Sequence, residues 1–314
     1  MDTEHWIKTV IRSIVCLTGI VGNNWLCFTS LPKSLSQLRT TDVLFVNLAV
    51  SNLITNYMVD IPDILQTDQY LTLGKVYCGF HFFLPEFSET SSIMSTTFIT
   101  AYWHQKLVGS LKNGGAPVRM DNLRLIAMLL TGSWTFALVL HLPHFFFIVD
   151  NGENATTAEC QEEFSSPEAE QAYKAVYVAL ANVIPLTWVL YASIQIAITL
   201  LQNEKRMKKT SVTVRNVGDA SAEKSGDDTD DGSAVTKSKS QAKTGSLVRA
   251  AKSVLAVAVL FLTCWAIHLI VSVLISVVHS TVIEDIESFV GASYTCTIPY
   301  IYLYGVQKLT CSRG

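Results

Sequence analysis

The stretch 250–278, AAKSVLAVAVLFLTCWAIHLIVSVLISVV, contains one lysine, Lys252, near its start and is otherwise mostly apolar. A bilayer core about 30 Å thick is crossed by roughly 20 helical residues, so the segment is long enough to span it. In lipid no water is present to satisfy backbone N–H and C=O groups, and a helix bonds them internally. Working outward, six further stretches of similar character lie at 10–31, 43–66, 78–108, 123–149, 172–201 and 284–306, joined by polar loops. The 314-residue chain is therefore expected to be an all-α membrane protein, a single seven-helix transmembrane domain over 1–314. Composition agrees: charged residues make up 16%, against the roughly 25% of soluble domains, and mean hydropathy is +0.33. Lys8 and Arg12 come before or early in the first apolar run, and no small-residue cleavage site follows it, so that span is expected to act as its own uncleaved insertion signal.

The distribution of charge gives orientation, although the net charge of −3 does not. Of the 23 lysines and arginines, all but Lys8, Arg12, Lys75 and Lys174 fall in or beside the loops after the first, third and fifth spans, or in the C-terminal tail. The loop 150–171 has seven acidic residues and no basic one. Cytoplasmic loops carry the excess of Lys and Arg, which places the N-terminus outside and the C-terminus inside. The sequon at Asn154 falls in the same acidic outer loop, where a glycan is acceptable. Cys160 is in that loop and Cys78 opens the third span at the outer face; an oxidising exterior allows them to bridge, the alternative being two free thiols. The inner loop 202–249 mixes ten basic with seven acidic residues, including the run 227–231, and has few large apolar side chains. Such a segment cannot bury enough surface to fold alone and is expected to be disordered. Its basic ends, 205–209 with Arg249 and Lys252, extend the flanking helices toward anionic lipid headgroups.

Rare polar, aromatic and proline residues recur in the spans. They are Gly22-Asn23 in the first, Asn47-Leu-Ala-Val-Ser-Asn52 in the second, Trp134 and Pro143 in the fourth, and Pro185 in the fifth. The sixth has Phe261-Leu-Thr-Cys264-Trp265 and the seventh Pro299-Tyr-Ile-Tyr302. With Cys78 and Cys160, this order resembles the landmarks of rhodopsin-like (class A) G-protein-coupled receptors across the whole chain. The departures from that pattern are Asn52 where the family's sodium-binding Asp stands, Tyr102-Trp103-His104 in place of the Asp-Arg-Tyr triplet, Ile267 for the sixth-span proline and Ile298 for the Asn before Pro299. The segment 102–108 and the ending 299–305 look most like fish olfactory receptors related to vomeronasal type 1 receptors, with bitter-taste receptors a more distant match. The resemblance implies an odorant or pheromone receptor in the plasma membrane of a sensory neuron, with a small-molecule ligand outside and a heterotrimeric G protein inside. It also implies that Trp265 forms the floor of the ligand pocket and moves on activation; Phe261, four residues before it, shares its helix face. Trp103 replaces the family's arginine, so His104 and Lys106 are the candidates for G-protein contact. Cys311, just past the last span, is a candidate for palmitoylation.

Ionisable groups inside a membrane are costly and mark functional sites. The outer halves of the spans offer Asp60 and Asp63 in the second and Glu86 and Glu89 in the third. The two glutamates are three apart and are expected to share a helix face. Two carboxylates so placed repel, and a bound ammonium relieves the repulsion. His268, one turn above Trp265, and Ser288 in the seventh span are further ligand-binding candidates. The expected pocket prefers a cationic or hydrogen-bond-donating small molecule; an organic acid recognised by His268 is the competing idea. The bland reading of Asp60 and Asp63 is a solvated mouth, and that of the glutamates a water-bonded structural network. His141 and His144 are also three apart and could begin a metal site, but no third ligand is obvious, and two satisfied histidines near a loop are expected.

No nucleophile elbow, phosphate-cradling glycine loop or His-Glu-x-x-His occurs, and neither enzymatic activity, a cofactor nor nucleic-acid binding is expected. A transporter would show internal repeats in matching halves, and none is visible. A retinal protein needs a Schiff-base lysine in the seventh span, and 284–306 contains none.

Overall fold

The computed structural model describes residues 3–32, 34–65, 70–111, 117–148, 160, 162–221, 231–277 and 281–310. Seven long helices follow one another: α1 (Thr3–Ser30), α2 (Thr40–Thr55, a π turn Asn56–Asp60, then Ile61–Leu65) and α3 (Tyr70–Leu111) come first. They are followed by α4 (Leu123–His141, then His144–Phe147), α5 (Pro167–Tyr177, a π turn Val178–Val183, then Ile184–Ser221), α6 (Asp231–Val277) and α7 (Thr281–Thr310). The molecule is a seven-transmembrane helix bundle. The only strand-like pairing among the described residues is an isolated bridge between Ile148 and Glu162.

Helix starts follow local chemistry. The Asn122 side chain accepts from the Arg124 amide at 3.0 Å to open α4, and the Ser166 hydroxyl accepts from the Ala169 amide at 3.2 Å to open α5, with Pro167 in the first turn. Arg39 and Asp42 close a reciprocal box at the start of α2, the Arg39 amide donating to the Asp42 carboxylate at 3.1 Å. Pro185 has no N–H to give to Ala181, four residues before it, and the π turn over Val178–Val183 absorbs the misfit. Pro299 likewise leaves the Thr295 carbonyl without its helical donor. The Asn23 side chain fills that gap from α1 at 3.0 Å.

α1 can approach α7 closely because Gly22 has no side chain. A Cβ there would stand 2.9 Å from Pro299 and 2.8 Å from Tyr300. The core runs through the middle and inner half of the bundle, with Leu48, Ile93, Ile99, Val257, Phe261 and Ile298 fully buried. Outward, large apolar side chains such as Leu17, Phe28, Met128 and Ile270 are exposed, as a lipid-facing surface requires. Five of the helices are apolar enough over described residues to cross a membrane on composition alone: α1, α2, α4, α5 and α6. The third span, α3, buries the polar residues Ser88, Thr90, Ser91, Ser92, Ser95, Thr96 and Thr100.

Several helices are longer than the predicted spans. α3 begins at Tyr70 rather than 78, α5 runs on to Ser221 and α6 starts at Asp231. The loop expected to be disordered over 202–249 thus enters and leaves as helix; its stretch 202–249 contains no proline to stop propagation. Residues 222–230, Asn154 and Cys311 lie outside the described residues. α6 shows no break at Ile267, consistent with the absence of proline there.

Candidate functional site

Between the outer halves of α2, α3, α6 and α7 lies a cavity of about 230 Å³. The π turn of α2 presents Asp60 to it, and Asp63 lies one turn further out. α3 contributes Glu89 and Ser92, α6 contributes Trp265 and His268, and α7 contributes Tyr294 and Thr295. Asp60 accepts from the Asn56 side chain at 2.8 Å, and Glu89 accepts from the Tyr177 hydroxyl of α5 at 2.9 Å. Three carboxylates and one imidazole line this small space, with the Arg12 guanidinium acting on Asp60 and Asp63 from α1. Trp265 is nearly buried and meets the His268 ring edge-on, with centroids 4.9 Å apart.

Below the cavity the contacts continue without a gap. Trp265 touches Phe261 (6.1 Å between centroids), and Phe261 touches Tyr294 (5.2 Å). The Tyr294 hydroxyl lies 2.9 Å from that of Ser92 and 3.0 Å from that of Thr96. Ser92 donates to Asn52 at 2.9 Å, Asn52 to Asn23 at 3.1 Å, and Asn23 to the Thr295 carbonyl. A parallel branch ties α2 to α3 and α4: Asn47 donates to Ser95 at 2.6 Å and accepts from the Trp134 indole at 2.8 Å. Asn23, Asn52, Trp134, Phe261 and Pro299 thus belong to one packed array in the middle of the bundle. Pro185 is buried on α5, and Tyr302 is buried further inward, its ring 4.8 Å from Phe45.

At the inner end, Tyr102 and Trp103 are buried. The Tyr102 hydroxyl donates to Asp121 at 2.9 Å, and the Asp121 carbonyl accepts from Thr40 at 3.2 Å. Lys106 donates to the Tyr102 hydroxyl and lies 5.7 Å from the centroid of the Trp103 ring. His104 faces α5, near Trp188 and Tyr191.

Two sequence expectations are corrected. Glu86 and Glu89 do not share a face of the cavity. Glu86 turns toward α4, where its Oε2 lies 3.1 Å from His141 Nδ1 and 2.9 Å from His144 Nε2. A three-residue step leaves about 60° between side chains on a helix, enough to send one glutamate to the cavity and the other to the neighbouring helix. The same contact supplies the third polar group that sequence reasoning could not find for the two histidines. Sequence reasoning also missed Tyr173 and Tyr177, which lie one turn apart on α5 and reach His144 and Glu89. The signal was present: α5 starts helical at Pro167, and the i, i+4 spacing puts both phenols on one face. The cysteine pairing is as expected, with Cys78 bonded to Cys160. Ser288 is on α7, its side chain outside the described residues.

The family model for the 7 transmembrane receptor (rhodopsin family) matches residues 22–302. The protein belongs to this family, one of membrane receptors rather than enzymes. Among relatives, it is similar to melanopsin of Phodopus sungorus, 28% identical over 147 residues that are 46% of this chain and 30% of that protein. It is also similar to melanopsin of Homo sapiens, 24% identical over 196 residues, or 62% and 40% of the two chains. The chain thus spans well under half the length of these curated relatives.

Proposed function

We propose that the protein is a chemosensory receptor of the plasma membrane that binds a small cationic molecule from outside and activates a heterotrimeric G protein. The observation that carries this reading is the outer cavity lined by three carboxylic side chains, Asp60, Asp63 and Glu89. An ammonium group entering it would trade its hydration for carboxylate contacts in a low-dielectric setting, the arrangement in which charge-assisted hydrogen bonds are strongest. Trp265 at the cavity floor would feel the ligand, and the ring contacts through Phe261 to Tyr294 give that movement a route to the polar middle of the bundle. Agonist would shift the population toward a state with an open inner face by binding that state better. His104 and Lys106 are the proposed G-protein contacts. Their present partners, the α5 aromatics and Tyr102, are ones such a state would release.

An odorant or pheromone is the ligand class that the eroded Tyr102-Trp103-His104 triplet and the ending 299–305 favour. The relatives' name suggests an opsin, and that reading would bring retinal; the lack of lysine in 284–306 argues against it for this chain. His268 supports the competing reading, an organic acid as ligand. Reporter cells for calcium or cyclic nucleotide, challenged with matched amine and acid panels, decide between these readings. Amine responses lost in Glu89→Gln at equal surface expression support the proposal. Acid responses lost only in His268→Ala would replace it.

A further inference from the structure

We propose that Glu86, His141 and His144 form a binding site for a divalent transition-metal ion, zinc foremost, at the outer end of α3 and α4. Glu86 Oε2 and one nitrogen from each histidine lie within 4.8 Å of one another. Two of the three separations are already 2.9 and 3.1 Å. Tetrahedral zinc with ligands near 2.0–2.1 Å holds its ligand atoms about 3.3 Å apart. The carboxylate needs to withdraw by only a few tenths of an ångström, and the histidine nitrogens need to close by at most about 1.5 Å, within the reach of small side-chain rotations.

The surroundings match what a metal site requires beyond its ligands. A ligating imidazole is oriented by an acceptor on its other nitrogen. His141 presents Nδ1 to Glu86, and its Nε2 is 2.9 Å from the Thr90 hydroxyl. His144 presents Nε2 to Glu86, and its Nδ1 is 2.5 Å from the Glu162 carboxylate. Both rings are thus fixed with one nitrogen turned toward the same point, and both are buried. The Tyr173 hydroxyl donates to the Leu140 carbonyl on α4 at 3.2 Å, and its oxygen stands 3.0 Å from His144 Nε2 as a neutral fourth group. Glu86 is one-third exposed, which leaves an ion a way in. Two histidines and one carboxylate form an imidazole-rich donor set that suits zinc, copper or nickel and disfavours magnesium and calcium.

Two carboxylates, Glu86 and Glu162, bracket this nearly buried cluster, and positive charge must accompany them there. Protons on the histidines are the rival occupant. The two differ in prediction, because a metal displaces those protons and binds less well as pH falls. An ion here would join α3 to α4, and through Glu162 and Tyr173 to the loop before α5 and to α5 itself. It would thereby brace the neighbouring Tyr177–Glu89 contact at the cavity.

The test uses the full-length receptor purified in detergent or nanodiscs after chelator treatment, with ion binding read by equilibrium dialysis and stability by thermal melting. Zinc is expected to bind one per receptor and to raise the melting temperature by a few degrees at concentrations well above its Kd, with no effect from magnesium. Glu86→Gln keeps the shape and is expected to abolish binding. Glu162→Gln is expected to keep the stoichiometry while weakening zinc about 10–100-fold. Folded wild-type receptor that binds no zinc at this stoichiometry, or a Glu86→Gln variant that binds as tightly as wild type, overturns the proposal. These readouts do not depend on what the receptor senses.

Discussion

Tyr177 of α5 donates its hydroxyl to Glu89 of α3 at 2.9 Å, fixing one acidic wall of the outer cavity to a helix beyond it. Glu89 is therefore held in place before any ligand arrives, which reduces the ordering cost of binding. Tyr177→Phe removes only the hydroxyl. A hydrogen bond to a charged group contributes about 1.5–3 kcal/mol, so agonist potency is expected to change by roughly tenfold or more, with surface expression retained. A dose–response curve of the variant against wild type measures it.

Asn23 stands between the Thr295 carbonyl and the Asn52 side chain. Asn23→Leu, of similar volume, leaves both without this partner in the middle of the membrane. Each unsatisfied buried group costs about 1–3 kcal/mol. The variant is expected to melt several degrees below wild type, as read by fluorescence of the purified receptor.

Gly22 allows α1 to lie against Pro299 and Tyr300. Gly22→Val forces a branched side chain into that contact, at about 1–3 kcal/mol for overpacking. Reduced folding yield and a lowered melting temperature are expected. The same substitution at Gly132, where an added Cβ meets nothing within 4 Å, serves as the tolerated control.

The bond between Cys78 and Cys160 closes a loop across a sequence separation of 82 residues. Its removal is expected to cost about 2–5 kcal/mol. Cys78→Ser, Cys160→Ser and the double variant should lose surface expression to the same degree, since each breaks one shared bond. Flow cytometry of surface-labelled receptor compares them; additive losses would mean that the cysteines act separately.

Much of the fold was legible because lipid imposes few solutions. Span length and the bias of Lys and Arg located seven helices and their direction, and Cys78 with Cys160 located the outer bridge. Residue orientation was less legible. Spacing put Glu86 and Glu89 on one side of α3, yet three residues are not a full turn, and the pull of two α4 histidines on Glu86 is a tertiary effect with no local trace. The basic ends of the inner loop were readable as extensions of the flanking helices, but hydropathy marks where lipid stops and could not say how far helical hydrogen bonding continues. The partner of Pro299 was hidden for a related reason. Its landmark status was readable, but that its vacated carbonyl is served by Asn23 depends on how α1 crosses α7.

The polar middle of the bundle, from Asn23 through Asn52 and Ser92 to Tyr294, is assembled entirely from amides and hydroxyls. Moving one elementary charge across the membrane potential involves about 2.3 kcal/mol per 100 mV, and this waist offers none on which that field can act. Neutral oxygens also hold alkali cations more weakly than a carboxylate does. Sensitivity to membrane potential and to salt therefore falls to the carboxylates of the outer cavity, Asp60, Asp63 and Glu89, and not to this waist.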